Sequence, residues 1–367
     1  MRIGIDARLT HYRPAGISRY TLQLIEALAR IEAEDEFVIL QSYKAKKPIL
    51  DSPNFITRRL LTPSHHRLEQ LTLPLEISLL RLDVLHSPDF IPPFRRNCRS
   101  VITIHDLVFI LYPHFLSKDA ARYYGQIDQA VRHTDAIIAV SEATKRDIIR
   151  LVGVPERKIT VIYEAASPIF RPIKTPDIRQ RVRDRFGIHG DFLLFVSTIE
   201  PRKNVPTLLK AMRRLLDDYD PDVKLVLAGE KGWLYDEVFR LVGELKLEED
   251  VIFLGRVSTE ELLWLYNAAQ ALVAPSIYEG FGLPPLEAMA CGTPVIVSNV
   301  SSLPEVVADA GLLVDPYNVE EIAVAMWRIL TDQELRQTLI EKGLKRSAFF
   351  SWDKAAEKTL ELYHSLA

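Results

Sequence analysis

At 367 residues the chain is long for one globular domain and comfortable for two, and 48% hydrophobic against 26% charged residues excludes a disordered chain. A net charge of −3 argues against a dedicated nucleic-acid binder. The two cysteines, Cys98 and Cys291, lie far apart without metal-like spacing, so they indicate no disulfide framework and fit a reducing compartment.

The N-terminal MRIGIDARLT lacks the apolar run of a signal peptide, and no stretch approaches the length of a membrane span. The expected location is cytoplasmic, at most peripheral at the inner face of a membrane. From the first strand onward, short runs rich in Val, Ile and Leu alternate with longer amphipathic segments. In the first half the runs are Ile3–Asp6, Phe37–Gln41, Asn54–Thr57, Val84–His86, Val101–His105, Ala136–Ser141 and Ile159–Tyr163. Such runs suit strands covered on both faces, and segments such as Tyr20–Ala29 are long enough for crossover helices.

After the first strand, Arg13-Pro14-Ala15-Gly16-Ile17-Ser18-Arg19-Tyr20 brings a glycine to the opening of a helix. Gly16 there would allow close backbone approach, although one glycine is weak evidence. Next comes a basic cluster, Lys44, Lys46, Lys47, Arg58, Arg59 and Arg67. Residues 1–165 carry 23 Lys and Arg against 19 Asp and Glu, the remainder 23 against 30. The cluster reads either as a solvated surface or as a face that rests on anionic lipid or meets an anionic acceptor. His65-His66 and the lone His86 lack metal-ligand partners. The loops Tyr43–Ser52 and Pro63–Gln70 carry no decodable pattern. In Thr103-Ile104-His105-Asp106, His105 ends a strand, where it would point into a ligand cleft or pack in the core.

Ser167–Asp177, SPIFRPIKTPD, is the predicted boundary, because Pro168, Pro172 and Pro176 interrupt any regular element. A helix over Ile178–Phe186 follows, and then the runs Phe192–Ser197, Lys224–Ala228, Val251–Leu254, Ala271–Ala274, Val295–Ser298 and Leu312–Val314. The implied class is α/β: two doubly wound Rossmann-like domains, 1–166 and 178–350, joined by a linker at 167–177 and facing a central cleft. A separate amphipathic helix is expected at Trp352–Ser365.

Ligands bind beyond the carboxyl ends of strands in such sheets, so the loops that follow strands are the informative ones. After Phe192–Ser197 comes Ser197-Thr198-Ile199-Glu200-Pro201-Arg202-Lys203-Asn204. Asn204 is placed as the N-cap of a helix through Leu216, which sets Arg202 and Lys203 where they would neutralise a diphosphate. Asp220-Pro221-Asp222 spells an acidic triplet but precedes its strand, on the wrong side of the sheet. Ser258-Thr259-Glu260-Glu261 reads as a capping box.

The most specific segment is Ser276 to Pro294, SIYEGFGLPPLEAMACGTP. Gly280 and Gly282 admit close approach of a ligand, and a helix that opens near Pro284 or Pro285 offers its dipole to phosphate. Glu279 on the loop and Glu287, placed in the first helical turn, make sense as acceptors for sugar and ribose hydroxyls. Glu287 has a competing reading as a carboxylate that satisfies the helix N-terminus. No residue stands out as a nucleophile.

Together these pieces resemble the retaining glycosyltransferases of the GT-B fold, the group 1 or mannosyltransferase-like family. The match spans nearly the whole chain: IDAR, GISRYT, HD, AVSEATKRDI, VSTIEPRKN, LVLAGEKG, FLGRV, SIYEGFGLPPLEAMACGTPVI and the late FSW. The resemblance implies transfer of a hexose, best read as mannose, from a GDP- or UDP-sugar to a glycan or lipid-linked acceptor, with no metal or other cofactor required. It implies that Glu279 touches the donor hexose, Glu287 the ribose, and Arg202 and Lys203 the diphosphate. Thr198 and the loop residues Gly280 and Phe281 would also bind the donor, and the backbone at Gly282 and Leu283 would assist. Arg256 and Val257 would border the base, His105 would bind a hydroxyl of the transferred sugar, and Gly16 would close over the phosphates. The C-terminal helix, 351–367, would cross back onto the first domain. Two positions depart from the family: Thr198 stands where many members carry arginine, with Arg202 placed to substitute, and Glu164-Ala165 where many have Asn-Gly. Two other functions fit the same pocket: a nucleotide-sugar epimerase and a non-catalytic subunit that binds sugar nucleotides.

Overall fold

Apolar runs only three to seven residues long can hide both faces only inside a layered sheet, and the computed structural model places them there. The structure describes residues 1–367 apart from 13–15, 32–33, 67, 114–122, 175–176, 233–234 and 367. Arg13, Pro14, Ala15, Arg67 and Pro176 of the sequence reading lie outside the described residues. The chain divides into two compact units, Met1–Glu164 with Ser351–Ala367, and Ala165–Phe350.

In unit 1, β1 (Arg2–Asp6), β2 (Glu36–Ser42), β3 (Phe55–Leu60), β4 (Val84–Ser87), β5 (Arg99–Ile104), β6 (Ala136–Ala139) and β7 (Ile159–Val161) form one sheet. Its order is β3-β2-β1-β4-β5-β6-β7, and all its pairings are parallel. In unit 2, β8 (Asp191–Val196), β9 (Val223–Ala228), β10 (Val251–Gly255), β11 (Ala271–Ala274), β12 (Val295–Ser298) and β13 (Leu312–Val314) form a second sheet. Its order is β10-β9-β8-β11-β12-β13, again parallel throughout.

Each sheet is built outward from a central strand in both directions. The chain runs from β1 to β2 and β3 on one side and to β4 through β7 on the other; unit 2 repeats this around β8. At such a reversal the two connecting segments leave in opposite directions and open a crevice beyond the strand ends. The crevices therefore lie at β1/β4 in unit 1 and at β8/β11 in unit 2.

Helices supply the apolar cover. Val205–Tyr219 buries Val205, Leu208, Leu209, Met212 and Leu215, a helical stripe, and Val319–Thr331 adds Ile322, Met326 and Ile329 to the same core. The first of these helices runs three residues past the expected Leu216. Helix Glu69–Ser78 sets Leu73 and Ile77 against Leu40, Leu60 and Leu85.

One expectation needs correction. The proline-rich stretch at 167–177 is no free linker where it is described. Phe170 is buried against Tyr266, and Asn267 accepts from the Ile173 amide and donates to the Arg171 carbonyl. Aromatic burial and backbone pairing thus attach it to unit 2. His86 is wholly buried, with Nδ1 2.6 Å from the Tyr363 hydroxyl and Nε2 2.8 Å from Thr103 Oγ1. Tyr363 belongs to helix Trp352–His364, so this pair anchors the C-terminal helix in unit 1. Burial, helped by the nearby His105, pushes the His86 imidazole down to about 3.

Candidate active site

The β8/β11 crevice is framed by two loops. The first leaves β8 and passes through a tight turn at Pro201–Lys203 into helix Val205–Tyr219. The second leaves β11 and enters helix Leu283–Ala290. The Ile277 amide donates to the Arg202 carbonyl at 2.8 Å and laces the two loops together.

Asn204 sits at the N-cap position, as expected, yet it does not cap the helix. It holds a left-handed φ of 59°, and its side chain accepts from no helix amide. Asparagine tolerates this conformation better than most residues. Its amide instead donates to the carbonyls of Pro275 and Pro316 at 3.0 and 2.6 Å, which ties the loops after β8, β11 and β13 to one point.

That pinning brings three of the predicted side chains into direct contact. Glu279 accepts from Lys203 Nζ at 2.6 Å and from Arg202 Nη1 at 3.0 Å. Ser276 Oγ donates to the same carboxylate at 2.8 Å, and the Glu279 amide donates to Ser301 Oγ. Arg202 also pairs with Glu200 at 2.5 Å. The Lys203 side chain is 7% exposed and that of Glu279 14%. Burial opposes ionisation of Glu279, but the charges of Lys203 and Arg202 and the hydrogen bonds from Lys203 and Ser276 outweigh it and hold the carboxyl at about 2. Burial and the adjacent Arg202 lower Lys203 below the usual lysine range, against the pull of Glu279 and Glu200. Two cations and two carboxylates thus balance at the mouth of a crevice.

The remaining predicted residues are distributed less simply. Gly282 has φ 112°, and a Cβ there would lie 2.8 Å from Leu303 Cδ2, so the turn into helix Leu283–Ala290 needs glycine. Pro284 and Pro285 bring no N–H donors to the first helical turn, so the donors at this helix start are the amides of Gly282 and Leu283. Gly280 is buried in the same loop. The Phe281 ring is buried edge-on to Phe350, so its side chain packs within the protein, and only its backbone remains for the donor contact expected of this loop. Glu287 is corrected. It is the fifth residue of its helix, in the second turn, where it is buried and accepts from the Tyr266 hydroxyl at 2.9 Å.

Thr198 is exposed beside Gly232, whose added Cβ would lie 2.4 Å from the Ile199 carbonyl. At Gly229 the corresponding distance to the Ser197 carbonyl is 1.7 Å. The two glycines of AGEKG therefore let the loop after β9 press against the loop that carries Arg202. Arg256, exposed at the end of β10, pairs with Glu230 at 3.2 Å, and Val257 beside it is half-buried.

In unit 1, Gly16 opens helix Gly16–Leu28 and is exposed, with nothing within 4 Å of an added Cβ. No protein neighbour demands glycine there. His105 follows β5 with both ring nitrogens engaged, Nδ1 with Glu164 and Nε2 with the Pro88 carbonyl, each at 2.9 Å. Burial disfavours the imidazolium, but the Glu164 hydrogen bond and charge raise its pKa above the ordinary value. Sequence reading set aside Glu164 as a departure and did not single out Glu200, Ser276 or Ser301. Position within a loop is visible in a sequence; a partner 59 residues away, as Glu164 is from His105, is not.

Comparisons with known proteins bear on the family and the fold. The family model described as glycosyl transferases group 1 matches residues 179–346, and that described as glycosyltransferase family 4 matches residues 14–167. The chain is 32% identical to an O-antigen chain mannosyltransferase B of Escherichia coli, over all of both chains. It is 28% identical to a D-inositol 3-phosphate glycosyltransferase of Mycolicibacterium smegmatis, over 95% of this chain and 86% of that one. Among solved structures, a sucrose-phosphate synthase from Thermosynechococcus elongatus superposes with a TM-score of 0.81 at 26% identity, over 100% and 99% of the two chains. The two Rossmann-like units are those of the GT-B fold.

Proposed function

The chain belongs to the group 1 glycosyl transferases, and on that footing we propose that it transfers mannose from a nucleoside-diphosphate donor to a glycan or lipid-linked acceptor, with retention at the anomeric carbon. The observation that carries this reading is the contact of Arg202, Lys203 and Glu279 at the β8/β11 crevice. A diphosphate that enters there competes with Glu279 and Glu200 for Arg202 and Lys203, because it carries more negative charge and more acceptor oxygens than one carboxylate. Glu279, released in part, then accepts a hydroxyl of the transferred sugar. The choice of mannose is supported by the full-length likeness to an O-antigen mannosyltransferase.

In the reaction the bond between the anomeric carbon and the diphosphate oxygen breaks while the acceptor oxygen bonds to the same face of that carbon. The acceptor proton passes to the departing phosphate. Arg202, Lys203 and the amides of Gly282 and Leu283 stabilise the charge that develops on the leaving group. Incubation with GDP-mannose and a mannose-terminated oligosaccharide, followed by NMR of the product, tests this. An α-linked mannose from the α-configured donor is expected; a β-linked product, or release of product without acceptor, overturns it. The second outcome would indicate an epimerase or hydrolase.

We further propose that the protein rests on an anionic membrane surface, a reading supported by a different face of unit 1. Leu61, Leu68, Leu71, Leu75 and Leu79 are 51–83% exposed, and the last four form a stripe on helix Glu69–Ser78 and its ends, opposite Leu73 and Ile77. The amides of Leu61 and Thr62 donate to Glu76 of that helix, which joins the stripe to β3 with its exposed Arg58 and Arg59 and to Lys46, whose carbonyl Arg59 binds. Leucines flanked by cations fit the interface of an anionic bilayer. No helix among the described residues is long and apolar enough to cross one. Flotation with phosphatidylcholine vesicles containing phosphatidylglycerol should carry the wild type and not a Leu71→Asp/Leu75→Asp variant; equal flotation of both removes the proposal.

A further inference from the structure

The crevice at β8/β11 holds the proposed donor site, and the equivalent crevice of unit 1, at β1/β4, holds a second polar notch. Asp6 ends β1, Ser87 ends β4 and is followed by Pro88 and Asp89, and Ser64, His65, Glu69 and Tyr123 close the sides around a cavity of about 20 Å³. That is room for one water or one hydroxyl group.

Almost every polar group in the notch is already committed. Arg8, itself buried, binds Asp6 at 2.6 Å, Glu69 at 2.5 Å and the Thr62 carbonyl at 2.9 Å. Asp89 accepts from its neighbouring Phe90 amide at 2.7 Å, from His65 Nε2 at 2.6 Å and from the Tyr123 hydroxyl at 3.2 Å. The exceptions are two hydroxyls. Ser87 is 2% exposed, and its Oγ has no hydrogen-bond partner among the described residues; Ser64 Oγ has none either. A buried hydroxyl left unpaired is costly, so the notch is built to receive something.

Charge decides what that is. Three carboxylates, Asp6, Glu69 and Asp89, face one guanidinium, and Arg8 spends its donors on two of them. Among the described residues that line the notch, a phosphate would meet net negative charge and no cation that is not already paired. A neutral hydroxyl can donate to a serine oxygen or a carboxylate edge and accept from a serine. His65, at φ 61°, is held in a backbone conformation that non-glycine residues rarely adopt, which places its ring between Asp89 and the notch wall.

We propose that this notch seats a hydroxyl of the neutral sugar that accepts the transferred residue, with Ser87 and Ser64 as its direct partners. This rests on the reading of the chain as a transferase to a glycan, and it adds where in unit 1 the acceptor is recognised and why an anionic group is not.

Ser87→Val fills the notch and breaks no hydrogen bond within the protein; Ser87→Ala empties it further and serves as the second variant. Saturation-transfer NMR of the full chain with methyl α-mannoside, methyl α-glucoside and glycerol 3-phosphate reads the notch without any turnover. The wild type should bind a neutral glycoside and not glycerol 3-phosphate, and Ser87→Val should lose that signal. In the transfer reaction Ser87→Val should raise the acceptor KM about tenfold and leave the donor-induced rise in melting temperature unchanged. A glycoside signal that persists in both variants means that the notch holds water only and overturns the proposal, as does preferential binding of the phosphate. Absence of transfer with every donor, while the glycoside signal still depends on Ser87, would instead refute the transferase reading and leave the notch standing.

Discussion

Lys203 and Glu279 form the least exposed ion pair of the candidate active site, and their fate under substitution separates stability from chemistry. Truncation of one partner of a buried pair strands the other, at a cost of roughly 3–5 kcal/mol in dry surroundings. Here Arg202 and Ser276 remain bound to Glu279, so Lys203→Met should cost less than that range and still fold. Transfer should nonetheless fall on the order of 100-fold or more, the usual effect of deleting one group that stabilises a leaving charge. Circular dichroism and turnover on the same samples check both halves; turnover near the wild-type value removes Lys203 from the mechanism.

Acid titrates the same carboxylate. Glu279 titrates at about 2 when folded against an ordinary 4.5, so the folded state binds fewer protons between those values. The stability it contributes is complete above pH 4.5 and is lost as pH falls toward 2. Glu279→Gln should therefore flatten the acid limb of the unfolding profile in that window. An unchanged difference between wild type and variant across pH 2–4.5 would contradict the assignment.

At the level of elements, the strands and their order of appearance were legible because short Val-, Ile- and Leu-rich runs have few other uses in a chain of this composition. The capping box at Ser258 was legible for the same local reason, and both of its hydrogen bonds form. The contacts that shape the site were not. Asn204 reads as an N-cap from its neighbours in sequence, but the carbonyls of Pro275 and Pro316 compete for it from loops 71 and 112 residues away. Phe281 lies between two glycines in sequence, and its ring is buried against Phe350 in space. Glu287 is displaced from the helix start because the helix begins at Leu283, before the prolines.

Glycines make a contrasting pair of element-scale predictions. Gly229→Ala should displace the loop that carries Arg202, because the new Cβ would sit 1.7 Å from the Ser197 carbonyl; a fall in melting temperature and loss of donor binding are expected together. Gly16→Ala meets nothing and begins a helix, so its stability should hold or rise by up to about 1 kcal/mol, with no fall in melting temperature. If Gly16 approaches the donor phosphates, as the family resemblance implies, this stable variant should still lose transfer. Full activity in Gly16→Ala would leave that glycine without a role in the reaction.

Over the whole molecule, unit 1 is closed by a helix from the far end of the chain, and the closure depends on an uncharged histidine. His86 titrates at about 3 when folded against an ordinary 6.5, so the folded state binds fewer protons between those values and stability falls as pH drops through them. Between pH 8 and pH 5 the loss should be about 2 kcal/mol. Tyr363→Phe should remove about 1–3 kcal/mol by leaving a buried imidazole nitrogen unpaired, and limited proteolysis should then release the C-terminal helix first. Loss of some other segment first would show that the helix is held elsewhere.

Both sheets place their polar clusters at the strand pair where the direction of winding reverses, cations beside a carboxylate in one unit and carboxylates around two free serines in the other. Calorimetric titration of the full chain with GDP-mannose, repeated on Lys203→Met and Ser87→Val, tests that division of labour most directly. Donor binding should weaken at least tenfold in Lys203→Met and remain at the wild-type value in Ser87→Val. Equal donor affinity in the wild type and Lys203→Met would contradict it.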